Sequence, residues 1–189
     1  MSQATLMQID LQNIFYAAKN KGERLDFEKI WDYFHARETE FLTDMIMYMI
    51  RGEDFDSTRF ERKLESIGYN LKIKTTVKIM HNRRPVYKQS NHDVNIVIDC
   101  MDRIGSFDKL ILMSGDGDFV DLCQYLRKKG KQVEVWSFKE CYNSILEPHV
   151  DRLHFIDDSF FLKKSSVSVF GFNRGAGVEC EPPAQYTES

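Results

Sequence analysis

No segment of this chain is long and apolar enough to span a bilayer. The longest mostly apolar stretch, Met45 to Ile50, falls far short of the ~20 residues a membrane helix needs. No signal peptide is legible either, because Met1 to Thr5 carries no basic residue and no long apolar run follows. These absences point to a cytoplasmic protein with no membrane partner. The 4 cysteines form no C-x-x-C pair, and the 5 histidines complete no zinc pattern. Cys100 and Cys123 fall among apolar residues at helical spacing and read as small buried hydrophobes in a reducing compartment. A formal net charge of −3 gives no global basic signature for nucleic acid. No internal repeat is present.

What is there suits one domain. The chain has 189 residues, 42% hydrophobic and 29% charged, enough to bury a sizeable core. Leu6 to Asp10 reads as a first strand that ends in an acid, followed by a helix from about Leu11 to Asn20 that Gly22 stops. Phe27, Ile30, Trp31 and Phe34 recur at helical spacing behind a capping Asp26. Phe41 to Ile50 reads as a strand. Thr58 and Glu61 have capping-box spacing ahead of a helix that Gly68 closes. Tyr69 to Met80 alternates as one strand, and Asn82-Arg83-Arg84-Pro85 reads as a loop.

A helix from about Asn91 to Ile104 precedes Lys109 to Met113, a strand apolar enough to be buried on both faces. A further helix ends at Gly130, and Gln132 to Trp136 is the next strand. A short helix around Tyr142 to Leu146 should end at Pro148, with a last short strand over Leu153 to Ile156. Alternating strands and helices predict an α/β fold: a three-layer α/β/α domain over residues 1–163 with a mostly parallel central sheet. Residues 164–189, rich in Ser, Gly and Pro, read as a flexible C-terminal tail.

In such folds ligands bind outside the carboxyl ends of the strands. Three acidic groupings fall there. Asp10 ends the first strand, with Asn13 one turn later. Asp116 and Asp118 follow the strand ending at Met113, in Ser114-Gly115-Asp116-Gly117-Asp118-Phe119, where the glycines permit a sharp backbone path. Asp93 begins a helix and shares a stripe with Val97, Cys100 and Ile104, whereas Asp99 is predicted to face solvent and pair with Arg103. Converging carboxylates about 5 Å apart repel by roughly 3 kcal/mol per pair at an effective dielectric of about 20. A cation relieves that repulsion, and oxygen-only ligands favour Mg²⁺ or Mn²⁺. Each acid also has a plainer reading: Asp10 and Asp116 as helix caps, and Asp93 as the partner of Ser90 in a capping box. His149, Asp151 and His154 offer a second conceivable cluster, without a nucleophile.

Lys72 to Lys88 holds Lys78, Arg83, Arg84 and Lys88 among its cations and no acid. It is either a solvated edge or a phosphate-tracking surface.

The ordered set resembles the NYN branch of the PIN-like nucleases. Ile9-Asp10-Leu11-Gln12-Asn13 is similar to the family's opening D-x-x-N. Asp93 matches the acid that begins its central helix, and Ser114 to Phe119 matches its S-G-D-x-D-F signature. The resemblance implies a PIN-like fold and metal-dependent hydrolysis of RNA phosphodiesters, with single-stranded or structured RNA as partner. Asp10, Asp93, Asp116 and Asp118 would act as catalytic metal ligands for Mg²⁺ or Mn²⁺, with Asn13 and Ser114 in support. Lys78, Arg83, Arg84 and Lys88 would meet the RNA. One departure stands out. Where the family often has Lys-Gly before the central-helix acid, this chain reads Ser90-Asn91-His92-Asp93, which either weakens phosphate contact there or hands it to Lys88 or His92.

Two other classes compete. A haloacid-dehalogenase-like phosphatase would need a second Asp where Gln12 stands. A catalytically idle nucleic-acid- or protein-binding module would share the fold without the chemistry. Oligomeric state and any partner of the tail are open.

Overall fold

A computed structural model describes residues 3–37, 40–52, 56–76, 78–81, 84–87 and 91–163, with the backbone alone at 40, 78–81 and 84–87. The predicted tail, 164–189, lies outside the described residues. The chain runs β1 (Gln3–Asp10), α1 (Leu11–Asn20), α2 (Phe27–His35), β2 (Glu40–Arg51), α3 (Thr58–Ile67), β3 (Asn70–Thr75), β4 (Lys78–His81) and β5 (Arg84–Tyr87). It continues through α4 (Asp93–Asp102), β6 (Lys109–Met113), α5 (Val120–Lys128), β7 (Gln132–Ser137) and β8 (Arg152–Phe155). Six strands form one sheet in the order β3-β2-β1-β6-β7-β8, parallel at every pairing.

Strand alternation divides the core. Met7, Ile9, Met47, Ile111 and Met113 lie on one face with Ile14 of α1, Ile30 and Phe34 of α2 and Leu64 of α3. Leu6, Ile46, Tyr48, Leu110, Leu112, Val133 and Val135 lie on the other, with Ile96 of α4 and Leu122 and Leu126 of α5. The result is the expected three-layer α/β/α domain. β6 is buried at every position, as a central parallel strand must be. Among the described residues no helix is long and apolar enough to cross a membrane.

Local signals hold at several helix ends. Asp26 caps α2 by accepting from the Lys29 N–H at 3.2 Å. Gly68 closes α3 at φ +124°, and a Cβ there would also strike the Trp31 ring, with Cζ2 at 2.5 Å.

Other expectations are corrected. Ser57, not Thr58, is the N-cap residue of α3, and Glu61 turns to the Ser57 hydroxyl and Arg51 instead of capping the helix. Tyr69 to Met80 is not one strand. β3 ends where β2 runs out of partners, at the Arg51–Thr75 pair, and the chain then forms a separate antiparallel hairpin, β4–β5. Arg84 and Pro85, expected in a loop, belong to β5 and pair with His81 and Met80; a two-stranded ribbon tolerates the proline's missing N–H. Pro148 lies inside a 3-10 turn, Ser144–His149, because its fixed φ suits that geometry.

Candidate metal centre

The strand order reverses between β1 and β6, so their carboxyl ends open a crevice at a topological switch point. Asp10 ends β1 and becomes the N-cap of α1, accepting from the Asn13 N–H at 3.3 Å. Ser114, fully buried just after β6, donates its hydroxyl to Asp10 Oδ2 at 3.3 Å and accepts from the Asp116 N–H at 3.3 Å. Asn13 Oδ1 accepts from the Gly115 N–H at 3.0 Å. Asn13 and Ser114 thus stitch the two strand ends together.

Beyond them, Asp116 caps a 3-10 turn over Gly117–Phe119 by accepting from the Asp118 N–H at 3.0 Å. Phe119 is buried and anchors the start of α5. Asp93 opens α4, and the Asn91 amide donates to its carboxylate. Asp93, Asp116 and Asp118 each present a carboxylate oxygen, all within 4.8 Å of one another; among the described residues no other such group of acidic, histidine or cysteine side chains occurs. Asp10 is outside that trio and deeper, 8% exposed. Capping and convergence are therefore not alternatives for Asp116, which does both, whereas Asp10 caps α1 without joining the trio.

The glycines serve a different purpose from the one expected. Neither Gly115 nor Gly117 has a positive φ. A Cβ on Gly115 would meet the Ser137 hydroxyl, the Cys141 carbonyl at 2.7 Å and the Tyr142 Cα at 2.8 Å. A Cβ on Gly117 would lie 2.6 Å from the Asn143 amide nitrogen. The loop after β7 approaches so closely that only glycine fits. The Asn143 N–H bonding to the Gly115 carbonyl at 2.9 Å holds it there.

Burial and the crowding of like charges raise two of these carboxyls, Asp10 and Asp93. Burial above all pushes the Asp10 carboxyl up to about 6; the charges of Asp93 and Asp116 add to this, while the Asn13 N–H and the Ser114 hydroxyl oppose it. Burial, then the charges of Asp116 and Asp118, raise Asp93 as well. A carboxyl raised in this way favours the fold while protonated. That contribution is full below the ordinary value near 4 and is lost as pH rises through about 6. Asp10→Asn keeps an oxygen for the Asn13 N–H and removes the charge. Its melting temperature in EDTA should therefore exceed that of the parent by a margin that widens from pH 4 to pH 7. A margin independent of pH would show that Asp10 ionises freely.

Several expectations about neighbours are overturned. Asp99 does not face solvent with Arg103. It accepts from the Tyr48 hydroxyl at 2.9 Å and lies 3.8 Å from the Lys72 ammonium, while Arg103 pairs with Asp44. His92 is 4% exposed and donates inward to the Met49 carbonyl at 2.8 Å, so it is not turned out toward a phosphate. His149, Asp151 and His154 form no joint site: Asp151 accepts from the Val133 N–H and pairs with Arg127, whereas His154 stacks on Trp136. Arg83, Lys88 and Ser90 lie outside the described residues; Lys78 and Arg84 are placed only as hairpin backbone. Lys74, in sequence only one of the cations of the Lys72–Lys88 run, donates its ammonium to the Asn91 carbonyl at 2.6 Å and acts on Asp93 through its charge. The run of cations from Lys72 onward was the available signal.

Comparison with known proteins fits this geometry. The NYN domain family model matches residues 5–157. The chain belongs to the NYN domain family. This NYN domain is 32% identical over 132 residues to the Low amplitude and bright protein LabA of Synechococcus elongatus, across 68% of this chain and 70% of that one. A crystal structure of a protein of unknown function, VPA0982 of Vibrio parahaemolyticus, matches with a TM-score of 0.72 at 24% identity, across 85% of this chain and 97% of that one. That second likeness concerns the fold alone. The family and the acidic cluster together support a module of the nuclease type, and the phosphatase reading falls with the family assignment.

Proposed function

We propose that this NYN domain is a metal-dependent ribonuclease in which Asp93, Asp116 and Asp118 hold a divalent cation. The observation that carries the reading is their convergence within 4.8 Å at the carboxyl ends of a parallel sheet. The donor set fits Mg²⁺ or Mn²⁺, because it is all carboxylate oxygen and its mutual repulsion asks for a cation. When bound, such an ion supplies an activated water and neutralises charge on the departing oxygen. Asp10, more deeply buried, adds its charge to the field of the trio, and Ser114 and Asn13 hold Asp10 and the Gly115–Asp116 backbone in place. Lys74 offsets the acidity at the mouth. RNA is the proposed substrate, with the basic hairpin leading into α4 as its approach.

Titration of the full chain with Mn²⁺, with and without labelled single-stranded RNA, tests this reading. Saturable binding and cleavage that EDTA abolishes are expected. RNA binding with neither metal binding nor cleavage would instead establish the idle binding module.

The hairpin gives a second test. Replacing Arg83 and Arg84 with Ala should weaken RNA binding and flatten its salt dependence. The log–log slope should fall by about 0.7 for each phosphate that is no longer neutralised. Mn²⁺ affinity should stay nearly unchanged. An unaltered slope would remove the segment from substrate engagement.

A further inference from the structure

The apolar core between α4 and the sheet contains a line of polar side chains that the proposed chemistry does not use. Gln8 and Tyr48 are fully buried and His92 is 4% exposed. Gln8 Nε2 donates to the Tyr48 hydroxyl at 2.8 Å and to the Ile96 carbonyl of α4 at 3.0 Å. The Tyr48 hydroxyl donates to Asp99 on the next turn of α4. His92, the N-cap residue of α4, donates from Nε2 to the Met49 carbonyl of β2. Gln8 Oε1 and His92 Nδ1 have no hydrogen-bond partner among the described residues. Buried polar atoms without partners carry a free-energy penalty, so stability alone does not account for this arrangement.

Its location suggests another purpose. Tyr48 is the register partner of Asp10, Gln8 stands two residues before Asp10, and His92 immediately precedes Asp93. Apolar contact through Ile96 and Cys100 is non-directional and lets a helix slide or rotate. Directed bonds at three successive points do not. We propose that Gln8, Tyr48 and His92 form a buried polar clamp that fixes the register of α4 on β1 and β2 and so positions Asp93 within the carboxylate cluster. These are positioning residues; none touches substrate. The clamp rests on the ribonuclease reading only for its catalytic consequence.

Tyr48→Phe and His92→Leu delete clamp bonds while filling the space. His92→Gln restores an amide donor near the Nε2 position. In full-length protein without metal or RNA, hydrogen exchange of the α4 amides should quicken about tenfold in the first two variants and return toward the parent rate in His92→Gln. With Mn²⁺ and RNA, outer residues of this kind typically change metal affinity or turnover by about 10–100-fold. Mn²⁺ affinity and kcat should fall in that range for Tyr48→Phe and His92→Leu, with KM for RNA little changed. Parent-like exchange in both variants overturns the clamp, as does faster exchange with parent-like Mn²⁺ affinity and kcat. A parent protein that neither binds Mn²⁺ nor cuts RNA defeats the ribonuclease reading instead, and the exchange measurement still decides the clamp. If Tyr48→Phe fails to fold, the contrast between His92→Leu and His92→Gln carries the test.

Discussion

Asp93→Asn is expected to lower RNA cleavage by about a thousandfold without weakening the metal-free fold. A bound cation supplies several kcal/mol of transition-state charge stabilisation, and about 4 kcal/mol corresponds to that factor. Asparagine keeps the shape and the contact with Asn91 but halves the ligand's oxygen count and removes its charge. The same change relieves repulsion from Asp116 and Asp118, so the protein in EDTA should melt no lower than the parent. Mn²⁺ should then cease to raise the melting temperature. For the parent, saturation a hundredfold above Kd is worth about 2.7 kcal/mol. Paired melting curves in EDTA and Mn²⁺, beside a cleavage assay, test both signs. Undiminished cleavage with Mn²⁺ stabilisation intact would exclude Asp93 as a ligand.

The second large effect concerns stability alone. Glu134 is 1% exposed on the α2 face of the sheet, where it accepts from Arg37 at 2.8 and 3.2 Å and from the Trp136 indole at 2.7 Å, and pairs with Lys109 at 2.7 Å. Burial pushes its carboxyl up, but the bonds from Arg37, Lys109 and Trp136 outweigh burial and hold it at about 2. A depressed carboxyl stabilises the fold above its ordinary range and loses that contribution as pH falls from about 4.5 toward 2. Glu134→Ala removes a charge paired with the buried Lys109 and the half-buried Arg37, and breaking a buried pair typically costs about 3–5 kcal/mol. In a chain of this size that lowers the melting temperature by roughly 10 °C. Glu134→Gln should fall between, and cleavage per folded molecule well below the transition should match the parent. A loss under 1 kcal/mol in urea titrations would mean that the cations are solvated after all.

These two sites were unequally legible in the sequence. The run from Ser114 to Phe119 follows a strand too apolar to be anything but central, so its place at a strand end could be read directly. Asp10 was legible for the same reason. Its depth was not, since burial at that point depends on β6 lying alongside, 100 residues later. Asp99 shows where helical periodicity misled. The stripe through Asp93, Val97, Cys100 and Ile104 turned Asp99 to solvent, whereas the contact that draws Asp99 inward, Tyr48, is on another strand. Glu134 drew no notice within the strand Gln132 to Trp136. Its partners, Arg37 and Lys109, are distant in sequence, and nothing local marks a buried ion pair. Gly115 and Gly117 were rightly singled out but for the wrong reason, because crowding by the loop after β7 is a tertiary fact.

The strand order also bears on how the chain comes together. β1 can pair with β2 as soon as both have been made, but its other edge takes β6, with Thr5 opposite Lys109 and Leu6 opposite Leu110. At about 5–20 residues per second, a ribosome leaves that edge open for about 5–20 s. Through that interval Leu6, Met7 and Ile9 stand on a strand with one open edge, the kind of template that recruits a second nascent chain. Parallel pairings over such separations also close slowly. The carboxylate cluster comes into being in the same event, because Asp116 and Asp118 arrive with β6. Mn²⁺ added during refolding should therefore leave the early phases untouched and stabilise only the species in which the centre of the sheet is complete.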